Sequence, residues 1–498
     1  MKSTCGGLVS IIVLLPLLGG CAIHPVNPPI AQFNANTGYT FETRQKHFKG
    51  QENLVVLAFS GGGTRAAAFS YGVLEFLRRT EVTASDGKRT RLLDAVNVIT
   101  GVSGGSFTAL AYGLYGDKLF ADYEQRFLKR DVQGEIIARA LNPINWGKLS
   151  STGWGRSELA AQLYDEILFN GATFRDLDRG NGPYVLVSAT DISTGTRVTF
   201  NQNIFNGLCS DLDAVPLSRA AAASSAVPVV LSPVTINNYA GTCNYAVPAW
   251  VRLFTESPNP PRPAARSIRE LTELESYFDS THRPYIHLVD GGVSDNLGMR
   301  DVLDEMQLWE SQHELGLATP FDRARRVIIF VVNSLSSPPT NWDESEASPG
   351  MASVLLKAIG VPIDHYSYEA VELLKDISAR WQQGQLIRKL AQCSINEASP
   401  VCSAVRVPDA EIYAIDVSFA ALTDKSEREY LNGLPTSFVL PDGAVDRLRA
   451  AAGKIIVSSP EFQRLLKDAG AKIIVDPSAS NTAGVAGVGR GKQTRSGG

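Results

Sequence analysis

Six short apolar runs rich in β-branched residues punctuate this chain. They are residues 54–59 (LVVLAF), 96–100 (VNVIT), 184–190 (YVLVSAT), 285–290 (YIHLVD), 327–333 (VIIFVVN) and 412–417 (IYAIDV). Runs of this length without polar alternation suit strands covered on both faces, the habit of parallel sheets. Helical spacing fills the gaps: Phe69, Val73, Phe76 and Leu77 recur at i, i+4, i+7 and i+8. Ser459-Pro460-Glu461 supplies an N-cap and a proline at the first helical position, and Gly470 supplies a stop. The alternation predicts an α/β protein, a three-layer α/β/α domain around a mainly parallel central sheet. Residues 115–180 and 335–405 break the rhythm and read as helical insertions over the sheet edge. A chain of 498 residues can bury such a core without staples.

Composition excludes some classes. Hydrophobic content of 44% and charged content of 20% rule out a disordered or collagen-like chain. With 47 Lys+Arg against 51 Asp+Glu, no basic excess exists to neutralise phosphates, which argues against nucleic acid as a partner. The first segment reads as an address. Lys2 precedes an apolar run at 8–18 that is too short to span a bilayer, and Leu18-Gly19-Gly20-Cys21 follows. That tetrapeptide resembles a bacterial lipobox, which implies lipidation of Cys21 as the first mature residue. Ala22, where an Asp would favour the inner membrane, then implies an outer-membrane lipoprotein facing the periplasm. The alternative is an ordinary signal peptide that carries a Cys. The expected organisation is a signal peptide at 1–20, a tether at 21–49 with Pro25, Pro28 and Pro29, one domain at 50–475, and a disordered tail at 476–498. Four cysteines remain beyond the signal region: Cys209, Cys243, Cys393 and Cys402. An even count in an oxidising compartment suggests two disulfides, taken as the local pairs Cys209–Cys243 and Cys393–Cys402 among three connectivities. Four buried thiols are the other reading. No zinc spacing occurs.

Three motifs carry chemistry. Gly101-Val102-Ser103-Gly104-Gly105 fits G-x-S-x-G between a strand and a helical run, the setting of a nucleophile elbow. Its glycines permit a strained turn that holds Ser103 clear at a helix N-terminus. By itself the pattern also fits a plain strand-to-helix turn. Ser60-Gly61-Gly62-Gly63-Thr64-Arg65 follows the first strand and opens a helix. Three glycines leave backbone N–H groups unshielded, able to hold an anion, and in acyl transfer they would form an oxyanion hole. Two rival readings stand: Gly61, Gly63 and Ala66 fit a dinucleotide fingerprint, although the following TEVTASDGKRT looks like a loop, and the glycines can be purely structural. Asp290-Gly291-Gly292 ends another strand, where a carboxylate on the same rim can take the serine proton or merely close an Asx turn. A Ser-His-Asp triad is less economical. Only His313 and His365 follow Asp290, neither in a clear strand-end loop, and His287 lies inside a strand as a packed or paired residue.

Taken in order, these motifs resemble the patatin-like phospholipase family, with its G-G-G-x-R loop, G-x-S-x-G nucleophile and D-G-G/A aspartate. Ala189-Thr190-Asp191, Thr194-Gly195 and residues 222–228 (AASSAVP) resemble its intervening segments. The resemblance covers residues 52–300 well. Two positions depart from the commonest pattern, Ser60 before the glycines and Ala66 after the arginine; neither removes a donor. The resemblance implies a lipid acyl hydrolase of phospholipase A or lysophospholipase type, working through a Ser-Asp dyad and an acyl-enzyme. Ser103 would be the nucleophile, Asp290 the base, and Gly61, Gly62 and Gly63 the oxyanion hole. Arg65, Gly101, Gly104, Gly105 and Gly291 would support them, with Arg65 holding the loop or meeting a lipid phosphate. Asp191 reads as a structural turn acid. No cofactor or metal is implied, and the partner would be membrane phospholipid or a related acyl ester. The region of Trp146, Leu149, Trp154 and Leu159 reads as a covered helix or as an apolar lid. Thioesterase, transacylase, a catalytically silent lipid-binding lipoprotein and a nucleotide-binding protein are the alternative functions.

Overall fold

A computed structural model describes residues 24–48, 52–83, 87–151, 154–247, 272, 275–314, 317–337, 340–393 and 399–474. The signal segment, Cys21 and the tail expected at 476–498 lie outside the described residues. The strands are β1 (Asn53–Phe59), β2 (Thr80–Thr83), β3 (Arg89–Arg91), β4 (Val96–Val102), β5 (Tyr184–Asp191), β6 (Arg197–Thr199), β7 (Val234–Asn237), β8 (Tyr285–Asp290), β9 (Arg326–Asn333), β10 (Glu411–Ser418) and β11 (Lys472–Ile473). The main sheet has the order β10-β9-β1-β4-β5-β8-β7, with β6 paired to β5. The four pairs from β10 to β5 are parallel. Their inner strands β1 and β4 are buried along their whole length, as runs without alternation require.

Helices surround this mixed, mostly parallel sheet. They include α1 (Gly63–Arg78), α2 (Gly104–Tyr115), α3 (Val132–Leu141), α4 (Pro143–Leu149), α5 (Arg156–Tyr164), α6 (Leu217–Ser224), α7 (Met299–Glu314), α8 (Met351–Leu390), α9 (Asp442–Ser458) and α10 (Pro460–Asp468). The Phe69, Val73, Phe76 and Leu77 stripe of α1 is buried. Helix α10 starts as its sequence dictates, the Ser459 side chain capping Phe462 N–H with Pro460 in the first turn. Both stretches that break the strand rhythm are helical, 115–180 holding α3 to α5 and 335–405 holding the 40-residue α8.

Three findings differ from the sequence expectation. The segment that starts with TEVTASDGKRT, residues 80–91, holds β2 and β3, which pair antiparallel with each other while β11 joins β2, apart from the main sheet. Its charged, short strands lack the apolar signal that marks a buried one. Residues 24–48 are laid on the domain rather than hanging as a tether. Ile30 N–H donates to Cys209 O at 2.9 Å, Phe33 N–H to Cys243 O at 2.8 Å, and Tyr39 is fully buried with its hydroxyl accepting from Val185 N–H at 2.7 Å. Finally, β8 runs antiparallel to β5, so Asp290 does not share the rim as the carboxyl end of a parallel strand. What places it is register. Asp290 lies opposite Ala189, and Ser188, one residue before, lies opposite Val102. Strand β8 starts beyond the carboxyl ends of the parallel strands and returns to their level at Asp290.

Candidate active site

Ser103 sits between β4 and α2 with φ 48° and ψ −120°. A non-glycine residue at positive φ costs roughly 1–3 kcal/mol and persists only where the surroundings over-determine it. Here they do. Ser103 N–H donates to Ser224 Oγ at 2.9 Å, and Ser106 N–H closes the turn on Ser103 O at 3.0 Å. The conformation aims the side chain out of the turn, and Ser103 Oγ donates to Asp290 Oδ2 at 2.8 Å. The other carboxylate oxygen, Oδ1, accepts Gly292 N–H at 2.7 Å. Ser224 links the Ser103 and Asp290 turns, because its carbonyl also accepts Gly291 N–H at 3.0 Å. Both Ser103 and Asp290 are buried. Burial pushes the Asp290 carboxyl up to about 6, against the pull of the Gly292 N–H and the Ser103 hydroxyl.

The glycine loop faces this pair. Gly62 and Gly63 take φ of 138° and 61°, which side chains rarely adopt. A Cβ at Gly104 would stand 2.0 Å from Gly63 O and 2.7 Å from Gly63 N, so only glycine at 104 lets the Ser103 turn touch the loop. The three amides are not equivalent. Gly61 N–H donates to Asn296 O at 2.9 Å, while Gly62 and Gly63 N–H have no acceptor among the described residues. Arg65 is spent on the scaffold. Its buried guanidinium donates to Ser334 O at 2.7 Å, Leu434 O at 2.9 Å and Thr436 Oγ1 at 3.1 Å. Desolvation lowers its pKa to about 10. It ties the loop to two distant segments, the carbonyl-holding role rather than the phosphate contact.

Residues 57–303 match the sequence profile of the patatin-like phospholipase family. The chain belongs to the patatin-like phospholipase family. Among solved structures, human GIVD cytosolic phospholipase A2 is 14% identical over 86% of this chain and 64% of that one, with a TM-score of 0.38. VipD from Legionella pneumophila is 11% identical over 85% of this chain and 68% of that one, with a TM-score of 0.31. The type III effector ExoU is 16% identical over 71% of this chain and 78% of that one, with a TM-score of 0.20. The chain thus spans less than two thirds of the human enzyme. No curated protein matches it.

Within this patatin-like domain the other candidate residues fall into place. Asp191 is a turn acid, accepting from Ser193 N–H at 3.0 Å, Thr194 Oγ1 at 2.8 Å and Tyr277 Oη at 3.2 Å, and paired with Arg283. His287 is exposed and pairs with Thr235 Oγ1 at 3.0 Å, not packed in the core. His282 pairs with Asp279 and His313 with Asp322, and the Ser103 hydroxyl is bonded to Asp290 instead. The strand after α1 is β2, outside the main sheet, which removes the second strand that a dinucleotide site needs. Among the described residues no His, Cys, Asp and Glu cluster is arranged to hold a metal ion. Disulfides join Cys209 to Cys243 and Cys393 to Cys402. Trp154 and Leu159 are buried, whereas Trp146 is exposed. Sequence reasoning missed Ser224 and Asn296. Ser224 lay inside the quoted AASSAVP segment; Asn296 had no signal, since it acts through its backbone carbonyl.

Proposed function

We propose that this protein is a lipid acyl hydrolase of phospholipase A or lysophospholipase type, cleaving carboxylic esters through Ser103 and Asp290 at the bacterial envelope, held there by a lipidated Cys21. The observation that carries the reading is the 2.8 Å hydrogen bond from Ser103 Oγ to a buried carboxylate, made by a serine at positive φ. Asp290 takes the hydroxyl proton as Ser103 attacks the ester carbonyl. Negative charge then develops on the former carbonyl oxygen. The uncommitted Gly62 and Gly63 N–H groups are the donors suited to it, each worth roughly 3–4 kcal/mol where such donors have been removed elsewhere. Asp290 returns the proton to the leaving alkoxide, leaving an acyl-serine, and next deprotonates the water that hydrolyses it. A carboxyl near 6 is ionised at neutral pH and still basic enough for both steps.

A fluorophosphonate probe tests this directly, because it reacts only with an activated serine. Wild type should be labelled and should release fatty acid from phospholipid, read by mass. Ser103→Ala should do neither while staying folded. Full turnover by that variant would remove the nucleophile assignment.

A further inference from the structure

Helices α3 and α4 leave apolar side chains in water beside the catalytic turns. Ile137 and Leu141 are exposed on α3; α4 buries none of its residues, with Ile144 85% and Trp146 56% accessible. Val229 and Val230 add to them. This arc is fastened at both ends to the site. At its start Gln133 N–H donates to Phe438 O at 3.3 Å, and the neighbouring Ser437 O accepts Thr64 N–H at 2.8 Å beside the glycine loop. Past its end Arg156 donates to Val229 O at 3.1 Å, and Ala226, three residues before Val229, accepts Asp290 N–H at 3.0 Å. Single exposed apolar residues need no explanation, but a group of six along one rim marks a contact surface.

Charge and chain path say what covers it. From residue 136 to residue 157 the charged residues are Arg139, Lys148 and Arg156, with no acid. Glu166 holds Arg139 at 2.9 Å, whereas Lys148 and Arg156 have no carboxylate in ion-pair range among the described residues. Lys148 lies over the Trp154 ring at 5.4 Å. The described chain starts at His24, which meets Asn237 Oδ1 at 2.6 Å and the Tyr285 ring at 5.7 Å. Those residues end β7 and begin β8, three positions beyond Leu288, the partner of the last residue of β5. His24 is therefore on the carboxyl side of the parallel strands, as the site is. Cys21 is three residues away, within about 11 Å of extended chain.

We propose that this rim docks on the surface of a lipid bilayer, with Ile144 and Trp146 entering the headgroup layer and Lys148 and Arg156 meeting lipid phosphates. The inference rests on the acyl hydrolase reading and names the partner of that site, the bilayer from which the ester is drawn. Ile144, Trp146, Lys148 and Arg156 then face the membrane beside the Ser103 site, and a lipidated Cys21 would hold that orientation.

The test uses the full chain and vesicles of phosphatidylethanolamine and phosphatidylglycerol with brominated acyl chains. Bromolipid should quench wild-type tryptophan emission, and Trp146→Phe should lose most of that quenching. Ile144→Asp, at an exposed position, should hydrolyse vesicle phospholipid about tenfold more slowly while turning over dissolved p-nitrophenyl butyrate at the wild-type rate. Unquenched wild-type emission, or vesicle hydrolysis by Ile144→Asp at the wild-type rate, overturns the docking surface. Quenching with no hydrolysis of either substrate leaves the docking standing and removes the hydrolase reading.

Discussion

A carboxylate inside a protein favours its protonated form, and Asp290 is held where that tendency meets its proposed task. Burial raises its pKa from 3.8 to about 6. The native state therefore binds a proton more tightly than the unfolded chain does, and stability falls as pH climbs from 3.8 to about 6, then stays level. Asp290→Asn removes that charge. It should be more stable than wild type at about pH 8, by up to about 3 kcal/mol, with the gain vanishing towards about pH 4. Thermal unfolding at the two pH values checks this, and a loss of stability at both would contradict it. In the wild type kcat/KM should rise with pH through about 6, as the base ionises. Ser103 stores strain of another kind. Ser103→Gly should be inactive yet about 1 kcal/mol more stable than the equally inactive Ser103→Ala, because alanine keeps a Cβ at positive φ. Chemical denaturation of the two inactive variants separates them.

At the scale of elements, what was legible was local. The six apolar runs announced six strands of the main sheet, and glycines next to a serine announced a turn, because both signals lie within a few residues of sequence. The hairpin of β2 and β3 and the short β6 and β7 were not legible, since three or four residues are too few for an alternation to stand out, even in β7, where Val234 and Ile236 alternate inward. The direction of β8 was not legible either. A run such as YIHLVD states that it is a strand but not which way its neighbours point, so Asp290 reaches Ser103 by register in an antiparallel pair and not as the end of a parallel strand. Contact between the nucleophile turn and the glycine loop depends on one missing side chain. Gly104→Ala would press a Cβ into the Gly63 peptide and part the two elements. It should lower kcat/KM about 100-fold, the scale of a misplacement near 1 Å, and cost about 1–3 kcal/mol of stability. Gly147→Ala on α4, where a Cβ meets nothing within 4 Å, should leave kcat/KM unchanged and add about 0.5–1 kcal/mol of stability, as alanine does over glycine inside a helix. Steady-state kinetics on a soluble ester compares the pair.

For the whole molecule, the segment before β1 shows why composition misleads. The prolines and Asn27 at 25–29 read as a tether, yet Pro28 O accepts Asp211 N–H at 2.9 Å, and Asn27 Nδ2 donates to Ser210 Oγ at 2.8 Å. These partners lie more than 180 positions away, and no local pattern encodes them. Their common support is the Cys209–Cys243 disulfide, since both its carbonyls accept from this segment, at Ile30 and Phe33. The bridge spans 34 positions, against 9 for Cys393–Cys402. By chain entropy the longer loop is worth about 4 kcal/mol and the shorter about 3. The difference in location matters more than the difference in length. Cys209→Ser/Cys243→Ser should loosen residues 24–48 together with the end of β7, so limited proteolysis should cut there before the sheet unfolds. Cys393→Ser/Cys402→Ser should lower the unfolding temperature without that early cut, because Cys393 follows α8 and, among the described residues, neither cysteine hydrogen-bonds to the N-terminal segment. If both variants are cut in the same order, the longer bridge is not what holds the segment, and its remaining contacts do, among them Tyr39 and Arg44 buried against 178–185.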